Sequence, residues 1–172
     1  MYAGDGWTTE AVTNSTSMFA DSPNLIGGGG TTYKAEHTDA VYARIDEGPN
    51  SDNPGYFTDK REPYAVLSSD SKTLTFYYND QKEARDGMDV GPFSSDVARE
   101  WHNQRESITT VIFDNSFVNY TSLTSTAFWF EGCSNLISIE NISNLKTDNV
   151  TNMFGMFSGC SSLTEVDVWR LA

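Results

Sequence analysis

A short segment of this 172-residue sequence occurs three times, and the repetition restricts the possible folds more than any other feature. Residues 130–136 and residues 157–163 share Phe, Gly, Cys, Ser and Leu at the same places, 27 residues apart. Residues 9–25 match residues 147–163 in Thr, Val, Thr, Asn, Met, Phe and Leu, at a distance of 138 residues. Repeats of about 20–50 residues are too small to bury their own apolar face and pack against their neighbours. The pattern therefore predicts a solenoid.

Each repeat combines two apolar spacings. Val150, Met153 and Phe157 recur at three and four residues, which predicts one face of a short helix or helical turn. Residues 163–168 then follow the spacing Leu-x-x-Val-x-Val, which marks an inward-facing strand in leucine-rich repeats. The predicted fold class is α+β: a leucine-rich-repeat-type solenoid with short parallel strands and helical turns, plus a cap that contains a β-hairpin.

The strand spacing predicts where the repeated strands begin. Ile108, Val111 and Phe113 have the same spacing as residues 163–168, so strands are expected to begin near residues 108, 136 and 163. In the middle copy, Asn141 stands where the third apolar residue is expected. The register of that copy therefore stays open.

Turn-forming residues divide the chain into four predicted segments. Glycine occupies residues 27–30, which are expected to form a flexible turn, and residues 48–55 combine Gly, Pro, Asn, Ser and Asp. The predicted segments are a partial repeat that ends an array (1–30), an irregular cap or linker (31–62), a β-hairpin cap (63–106) and the solenoid units (107–172).

The expected hairpin lies in residues 64–78. Two β-rich runs flank the polar residues 69–72, which have the length of a four-residue hairpin loop. Leu74, Phe76 and Tyr78 alternate and form one apolar face that must be covered. We expect that face to pack on the first strand that follows.

Composition excludes several classes of partner. The formal net charge is −13, from 24 acidic and 11 basic residues, and an acidic surface repels the phosphates of nucleic acids. The sequence has no uninterrupted apolar run of the roughly 18 residues that a transmembrane helix needs, and no signal peptide is recognisable. Nucleic acid is therefore not an expected partner, and no membrane span is expected.

No pattern of catalytic, cofactor-binding or metal-binding residues stands out. His37 and His102 have no His, Cys or Glu at metal-ligand spacing, and the sequence has neither a phosphate-binding loop nor a serine nucleophile motif. Cys133 and Cys160 lie one repeat apart, so a disulfide is possible, but packing as small apolar side chains is favoured. We predict that the protein is not an enzyme and uses no cofactor.

Tryptophans are the candidate partner-binding residues, because exposed aromatic side chains concentrate binding energy. Trp7, Trp101 and Trp169 are the candidates. Trp129 lies between two phenylalanines and is expected to be half buried in the core. Trp101 also falls within residues 95–105, which are expected to be helical because Val97 and Trp101 are four residues apart.

The repeat carries a resemblance to known families. The stretch from Val150 to Val168, with its Val-Thr-Asn-Met and Met-Phe-x-Gly-Cys-Ser-Ser-Leu motifs, resembles the repeat of BspA-like leucine-rich-repeat surface proteins of Bacteroidales. It is also similar to the related repeat of mycoplasma surface lipoproteins. The resemblance implies export, a solenoid fold, an extracellular or cell-surface location and contact with host proteins, other bacteria or matrix. It supplies no binding residues.

The sequence favours a non-enzymatic cell-surface protein-interaction or adhesion module. Two alternatives stay open: a structural spacer, or a carbohydrate-binding accessory protein that uses tryptophans as sugar platforms. Because a terminal repeat presents an open edge, we also predict self-association through the terminal repeats, with the strand at residues 163–168 as the adhesive edge.

Overall fold

The computed structural model describes residues 1–4 and 6–166. The chain divides into two compact units: the first is Met1–Arg61, and the second begins at Glu62. The strands are β1 (Tyr2–Ala3), β2 (Thr58–Asp59), β3 (Glu62–Leu67), β4 (Thr73–Asn79), β5 (Thr110–Phe113) and β6 (Ser138–Glu140). The 3-10 helical turns are Ala40–Tyr42, Asp96–Ala98, His102–Gln104, Asn115–Asn119 and Ile142–Asn144.

The predicted fold class, an α+β leucine-rich-repeat-type solenoid, is wrong. The described residues contain no α-helix, and their helical segments are 3-10 turns of three to five residues. The strands form two small sheets, one with two strands and one with four. Strands and turns make up the fold of residues 1–4 and 6–166, and these residues do not form a solenoid.

Left-handed residues explain why the helical spacing of the repeat gives no helix. Phe128 and Gly132 have φ angles of 65° and 73°, and Gly155 and Gly159, one repeat later, have 64° and 74°. An α-helix needs a right-handed φ angle at every residue. Two left-handed residues four positions apart therefore limit each helical segment to a single turn.

Residues that were expected to share a helical face are separated by this geometry. Met153 is exposed, and the buried methionine of the same repeat is Met156. Residues 95–105 form two 3-10 turns rather than one helix, with Val97 exposed and Trp101 buried. Each helical prediction therefore placed one exposed residue, Met153 or Val97, on a face whose other residues do pack in or against the core.

The second unit is built on the sheet β3-β4-β5-β6, in that order. β3 and β4 form the predicted antiparallel hairpin. β4 then pairs in parallel with β5, where Phe76 lies opposite Phe113, and β5 pairs in parallel with β6, where Thr110 lies opposite Ser138. The hairpin does contact the strand that follows, but it pairs with it edge to edge in one sheet instead of laying its apolar face on it, and Leu74 and Phe76 belong to the core of the unit.

Two of the three predicted repeat strands are present, as β5 and β6. β6 ends at Glu140, because the next residue, Asn141, has a φ angle of 55° and so cannot continue an extended strand. The strand predicted at residues 163–168 is absent from its described part, residues 163–166, and its last two residues lie outside the described residues.

An aromatic cluster forms the core of the second unit. Phe76 of β4 is fully buried, and its ring stacks on Trp129 with 4.8 Å between centroids and on Phe113 with 5.1 Å. Trp101 and Phe117 make edge-on contacts with the Phe76 ring and complete the cluster. Trp129, which was expected to be half buried, is fully buried.

A buried arginine holds the turn that follows this core. The Arg99 side chain donates hydrogen bonds to the carbonyl oxygens of Asp96 (2.8 Å), Trp129 (2.9 Å) and Glu131 (3.0 Å), and also to that of Phe128. Burial lowers the pKa of the guanidinium from its ordinary value, but arginine stays a cation at neutral pH. Arg99 therefore satisfies several carbonyl groups around a left-handed residue.

The first unit has a separate, smaller core. β1 and β2 pair in parallel, with Tyr2 opposite Thr58. Phe19 packs edge-on against Tyr56 with 5.1 Å between ring centroids, and Phe57 lies buried beside them. The repeat copy at residues 9–25 thus contributes its phenylalanine to this core.

The glycine run at residues 27–30 is a tight turn rather than a flexible one. The Gly27 amide donates to the Thr31 carbonyl oxygen at 2.8 Å. A Cβ atom at Gly27 would overlap a carboxylate oxygen of Asp46 and the carbonyl oxygen of Gly55. Glycine is needed here because the backbone passes directly against its neighbours.

Candidate functional site

The structure places the three candidate tryptophans differently. Trp7, in the first unit, is 50% exposed. Trp101, in the second unit, is fully buried, and its indole N–H donates to the carbonyl oxygen of Trp129 at 3.0 Å. Trp101 is a core residue and offers no surface to a partner. Trp169 lies outside the described residues.

Trp7 is exposed but fixed in position. Its indole N–H donates to the carbonyl oxygen of Ala43 at 2.8 Å. Its ring meets Phe57 edge-on, with 4.9 Å between centroids and 75° between the ring planes. The backbone N–H of Trp7 also donates to Gly4 at 3.3 Å, which closes a turn. An aromatic side chain held in this way loses little conformational entropy on binding.

A shallow groove of about 260 Å³ lies beside Trp7. Its lining consists of Ala3, Gly4, Trp7, Arg44, Ile45, Glu47 and Asn53. The polar side chains are linked: Arg44 Nη1 donates to Asn53 Oδ1 at 3.2 Å, and Asn53 Nδ2 donates to Glu47 Oε2 at 3.0 Å. The groove thus has an aromatic wall and a polar rim with an acidic end.

Asp46 supports the loop that carries this rim. Its buried carboxylate accepts hydrogen bonds from the Thr31 hydroxyl (2.5 Å) and from the backbone N–H groups of Thr31 (2.9 Å), Gly48 (2.9 Å) and Gly55 (3.2 Å). Burial by itself would raise the pKa of Asp46, but these hydrogen bonds outweigh it and lower the pKa below its usual value. The carboxylate is structural.

We expect Asp46→Asn to destabilise the first unit by about 2 kcal/mol at pH 7, because an amide cannot accept all of these hydrogen bonds. The folded-state pKa lies below the unfolded value of about 3.9, so the contribution is present above that pH and is lost as pH falls through the folded pKa. Wild-type stability should therefore fall in acid more steeply than that of the variant.

The measurement is urea unfolding from pH 7 to pH 3 with 5-fluorotryptophan-labelled protein. The Trp7 fluorine resonance reports on the first unit because the other three tryptophans lie beyond residue 61. Asp52→Asn, an exposed change in the same unit, is the matched control. Equal midpoints for the Asp46 and Asp52 variants would contradict the prediction.

The histidines and acidic residues do not assemble a metal site in the described part of the chain. No group of three or more His, Cys, Asp or Glu side chains there is placed to hold a metal ion. The His37 ring stacks on Tyr42 with 4.1 Å between centroids, and His102 lies 3.5 Å from a carboxylate oxygen of Asp96.

Both cysteines are free thiols. Burial raises the pKa of Cys133 to about 12 and also raises the pKa of the half-buried Cys160. The Cys160 thiol lies 3.1 Å from the carbonyl oxygen of Phe130. Packing therefore accounts for both side chains.

We expect iodoacetamide at pH 8 to modify Cys160 slowly and Cys133 hardly at all, because only the thiolate reacts and burial keeps both thiols protonated. Mass spectrometry of peptides after timed quenching measures both rates. Both cysteines should react rapidly in denaturing urea, which is the control. Equal, rapid modification of Cys133 and Cys160 in the folded protein would contradict the prediction.

Sequence reasoning found Trp7 but missed the polar rim. Asn53 belongs to the cluster of turn formers at residues 48–55 and Arg44 and Glu47 shortly precede it, and nothing in their spacing indicates that they lie beside Trp7. The sequence does contain one chemical indication of the rim: the charged residues Arg44, Asp46 and Glu47 directly precede the turn formers of residues 48–55.

Across the described residues, 1–4 and 6–166, none of the helical segments has the length and apolar character needed to cross a membrane. In comparison with known proteins, residues 99–171 match a family described as "Mycoplasma protein of unknown function, DUF285". No curated protein and no solved structure matches the chain. The match relates the C-terminal part of the chain to a mycoplasma repeat family.

Proposed function

We propose that this chain is a non-enzymatic protein-interaction or adhesion module and that the groove beside Trp7 receives an exposed segment of a partner protein. The observation that carries the proposal is the placement of Trp7, which is fixed by Ala43 and Phe57 while half of its side chain stays exposed. Tryptophan is enriched among the residues that dominate binding energy at protein interfaces.

The size of the groove favours a side chain of a larger partner over a whole small molecule. Small-molecule sites usually occupy about 300–1,000 Å³, and this groove occupies about 260 Å³ and is shallow. A segment of a partner protein could place one or two side chains against Trp7 and Ile45. Its backbone would then lie along the rim.

The charge of the chain indicates which side chain of the partner would fit. The net charge is −13, and the exposed Glu47 stands at the rim of the groove. An arginine or lysine could lie over the Trp7 ring and pair with Glu47, since cations are attracted to the faces of aromatic rings. We therefore infer a partner with an exposed basic residue and binding that weakens at high salt.

We infer an extracellular or cell-surface location from the resemblance of residues 150–168 to the repeat of BspA-like surface proteins of Bacteroidales. The match of residues 99–171 to a mycoplasma family supports the coarser part of that resemblance. The Bacteroidales affiliation and the adhesive role belong to the proposal.

The test compares Trp7→Ala with Val12→Ala, a matched control at another exposed position of the first unit. Immobilised protein is exposed to a host mucosal extract and to a bacterial surface fraction, and captured proteins are identified and quantified. We expect Trp7→Ala to lower the affinity for a specifically captured protein at least ~30-fold, the loss typical of a dominant interface residue. Equal capture by wild type and Trp7→Ala would overturn the proposal and favour the spacer alternative.

Carbohydrate binding is the second candidate, and the polar rim is the observation that favours it. Arg44, Asn53 and Glu47 place hydrogen-bonding groups beside an aromatic face, which is the arrangement that could hold a sugar ring. A glycan array separates the candidates. A signal that Trp7→Ala removes, without captured protein, would replace protein binding by sugar binding.

A further inference from the structure

Two copies of the repeat lie side by side in the second unit and share a ladder of backbone hydrogen bonds. Over residues 126–132 the inner copy donates and residues 152–158 of the outer copy accept. The bonds are Thr126 N–H to Asn152 O (2.9 Å), Phe128 N–H to Phe154 O (2.8 Å), Phe130 N–H to Met156 O (2.9 Å) and Gly132 N–H to Ser158 O (2.7 Å). At the two ends, by contrast, Thr151 N–H donates to Thr124 O (2.9 Å) and Ser162 N–H donates to Ser134 O (3.1 Å). This ladder shows how one copy of the repeat binds the next.

The outer copy carries the same row of donors without acceptors. The equivalent N–H groups, 27 residues later, belong to Met153, Gly155, Phe157 and Gly159. None of the four donates a hydrogen bond to any residue in the described ranges. We call residues 153–159 the donor edge.

The copy in the first unit has the same local backbone as the outer copy. Ser17 and Gly155 have φ angles of 62° and 64°. Thr16 N–H donates to Asn14 Oδ1 at 3.1 Å, as Phe154 N–H donates to Asn152 Oδ1 at 3.0 Å. The sequence match between these copies is thus also a conformational match.

The first-unit copy carries the complementary row of acceptors. Asn14, Thr16 and Met18 correspond to Asn152, Phe154 and Met156, whose carbonyl oxygens accept the internal ladder. The three carbonyl oxygens of the first-unit copy accept no hydrogen bond from the described residues, and the residues are exposed. A polar hollow of about 390 Å³ lies along Asn14 and Thr16, with Asp39 on its other side. We call residues 14–18 the acceptor edge.

Side-chain exposure shows that both edges lack the cover that the internal ladder provides. Phe154, on the donor edge, is 68% exposed, whereas its counterpart Ala127 in the inner copy is 1% exposed. Met18, on the acceptor edge, is 45% exposed, whereas its counterpart Met156 is 6% exposed. Each position is buried where a neighbouring copy covers it.

We propose that copies of this chain associate head to tail, with the donor edge of one copy hydrogen-bonded to the acceptor edge of the next. A second copy is the occupant because one chain carries both edges and the internal ladder already shows the pairing in register. The contact is heterologous, so it builds a ring where the rotation between copies closes and an open chain of copies where it does not, instead of a symmetric dimer. It replaces residues 163–168 as the adhesive edge and does not involve the groove beside Trp7.

Charge makes the two edges the favoured places for contact. The chain has a net charge of −13, so copies repel each other in general, but residues 12–20 and residues 151–159 contain no Asp, Glu, Lys or Arg. Added salt screens the general repulsion without weakening backbone hydrogen bonds between uncharged segments. Association should therefore increase with ionic strength, unlike the proposed binding at Trp7.

The test is sedimentation velocity over a wide concentration range with two edge variants. Phe154→Glu blocks the donor edge and Met18→Glu blocks the acceptor edge, since each introduces a charge at a position that the internal ladder buries. A buried unpaired charge should raise the dissociation constant at least ~tenfold. Val97→Glu, at another exposed apolar position of the second unit, is the matched control, and circular dichroism verifies that all variants are folded.

Mixing the variants gives the decisive result. We expect wild type and Val97→Glu to form species that grow beyond the dimer as concentration rises, and each edge variant alone to stay monomeric. An equimolar mixture of Phe154→Glu and Met18→Glu keeps one intact edge of each kind and should form a dimer that grows no further. Monomeric wild type at all concentrations and salt levels, or edge variants that assemble as well as wild type, would overturn the proposal.

Discussion

Phe76→Ala is expected to lower the free energy of unfolding of the second unit by about 3–5 kcal/mol, the usual range for truncation of a buried phenylalanine. The Phe76 ring is fully buried and stacks on both Phe113 and Trp129. It also sits where β4 pairs with β5, so the cavity would open beneath the contact between the hairpin and the rest of the sheet. These surrounding rings are rigid and large, and they cannot collapse fully into the space.

The measurement is urea unfolding followed by tryptophan fluorescence, because Trp101 and Trp129 both contact the Phe76 ring. Thr75→Ala is the matched control, since Thr75 is the neighbouring residue of β4 on the opposite face and is only partly buried. We expect the control to cost less than about 1 kcal/mol. Similar losses for the two variants would show that the aromatic cluster is not the core of this unit.

The part of the fold that could be predicted is the part with a two-residue period. Leu74 and Phe76 alternate with polar residues and form a buried strand face, as the sequence indicated. Ile108 and Leu136 likewise precede β5 and β6 and are fully buried. Alternation survives in the structure because strand pairing needs only an extended backbone and one covered face.

The helical part of the prediction failed because apolar spacing says nothing about the sign of φ. Phe128 adopts a left-handed conformation, which is unusual for a bulky residue, and its sequence context gives no sign of it. The equivalent positions Ser17 and Gly155 show that the conformation belongs to the repeat and not to glycine.

The candidate site was predicted in part. The sequence gives no reason to prefer Trp7 over Trp101 as a binding residue. In the structure Trp7 is half exposed. Trp101 is buried among Phe76, Phe93 and Trp129. Exposure of an aromatic residue depends on long-range packing, which single-sequence patterns do not encode. The rim beside Trp7 depends in the same way on the loop held by Asp46.

Arg99→Ala is expected to destabilise the second unit by about 3–4 kcal/mol, from the cavity left by a long buried side chain and from carbonyl groups that lose their donor. The Arg99 guanidinium bridges the carbonyl oxygens of Phe128, Trp129 and Glu131. Phe128 is left-handed, so its turn depends on contacts outside itself. Loss of these donors should also loosen the internal ladder between the repeat copies.

Arg99→Lys separates charge from geometry. Lysine keeps the positive charge, but its single ammonium group cannot reproduce the planar fork that reaches four carbonyl groups. We expect it to recover less than half of the stability lost in Arg99→Ala, and amide hydrogen exchange should show faster exchange at Phe128 and Phe130, the donors of the ladder.

Arg85→Ala is the matched control, because Arg85 is exposed and lies over the Tyr77 ring at 4.4 Å. We expect it to cost about 1 kcal/mol or less. Full recovery of stability by Arg99→Lys would mean that the charge of Arg99, not its geometry, holds the turn. Unchanged amide exchange at Phe128 and Phe130 in Arg99→Ala would mean that Arg99 does not stabilise the ladder. The pairing of the two repeat copies would then be stable by itself.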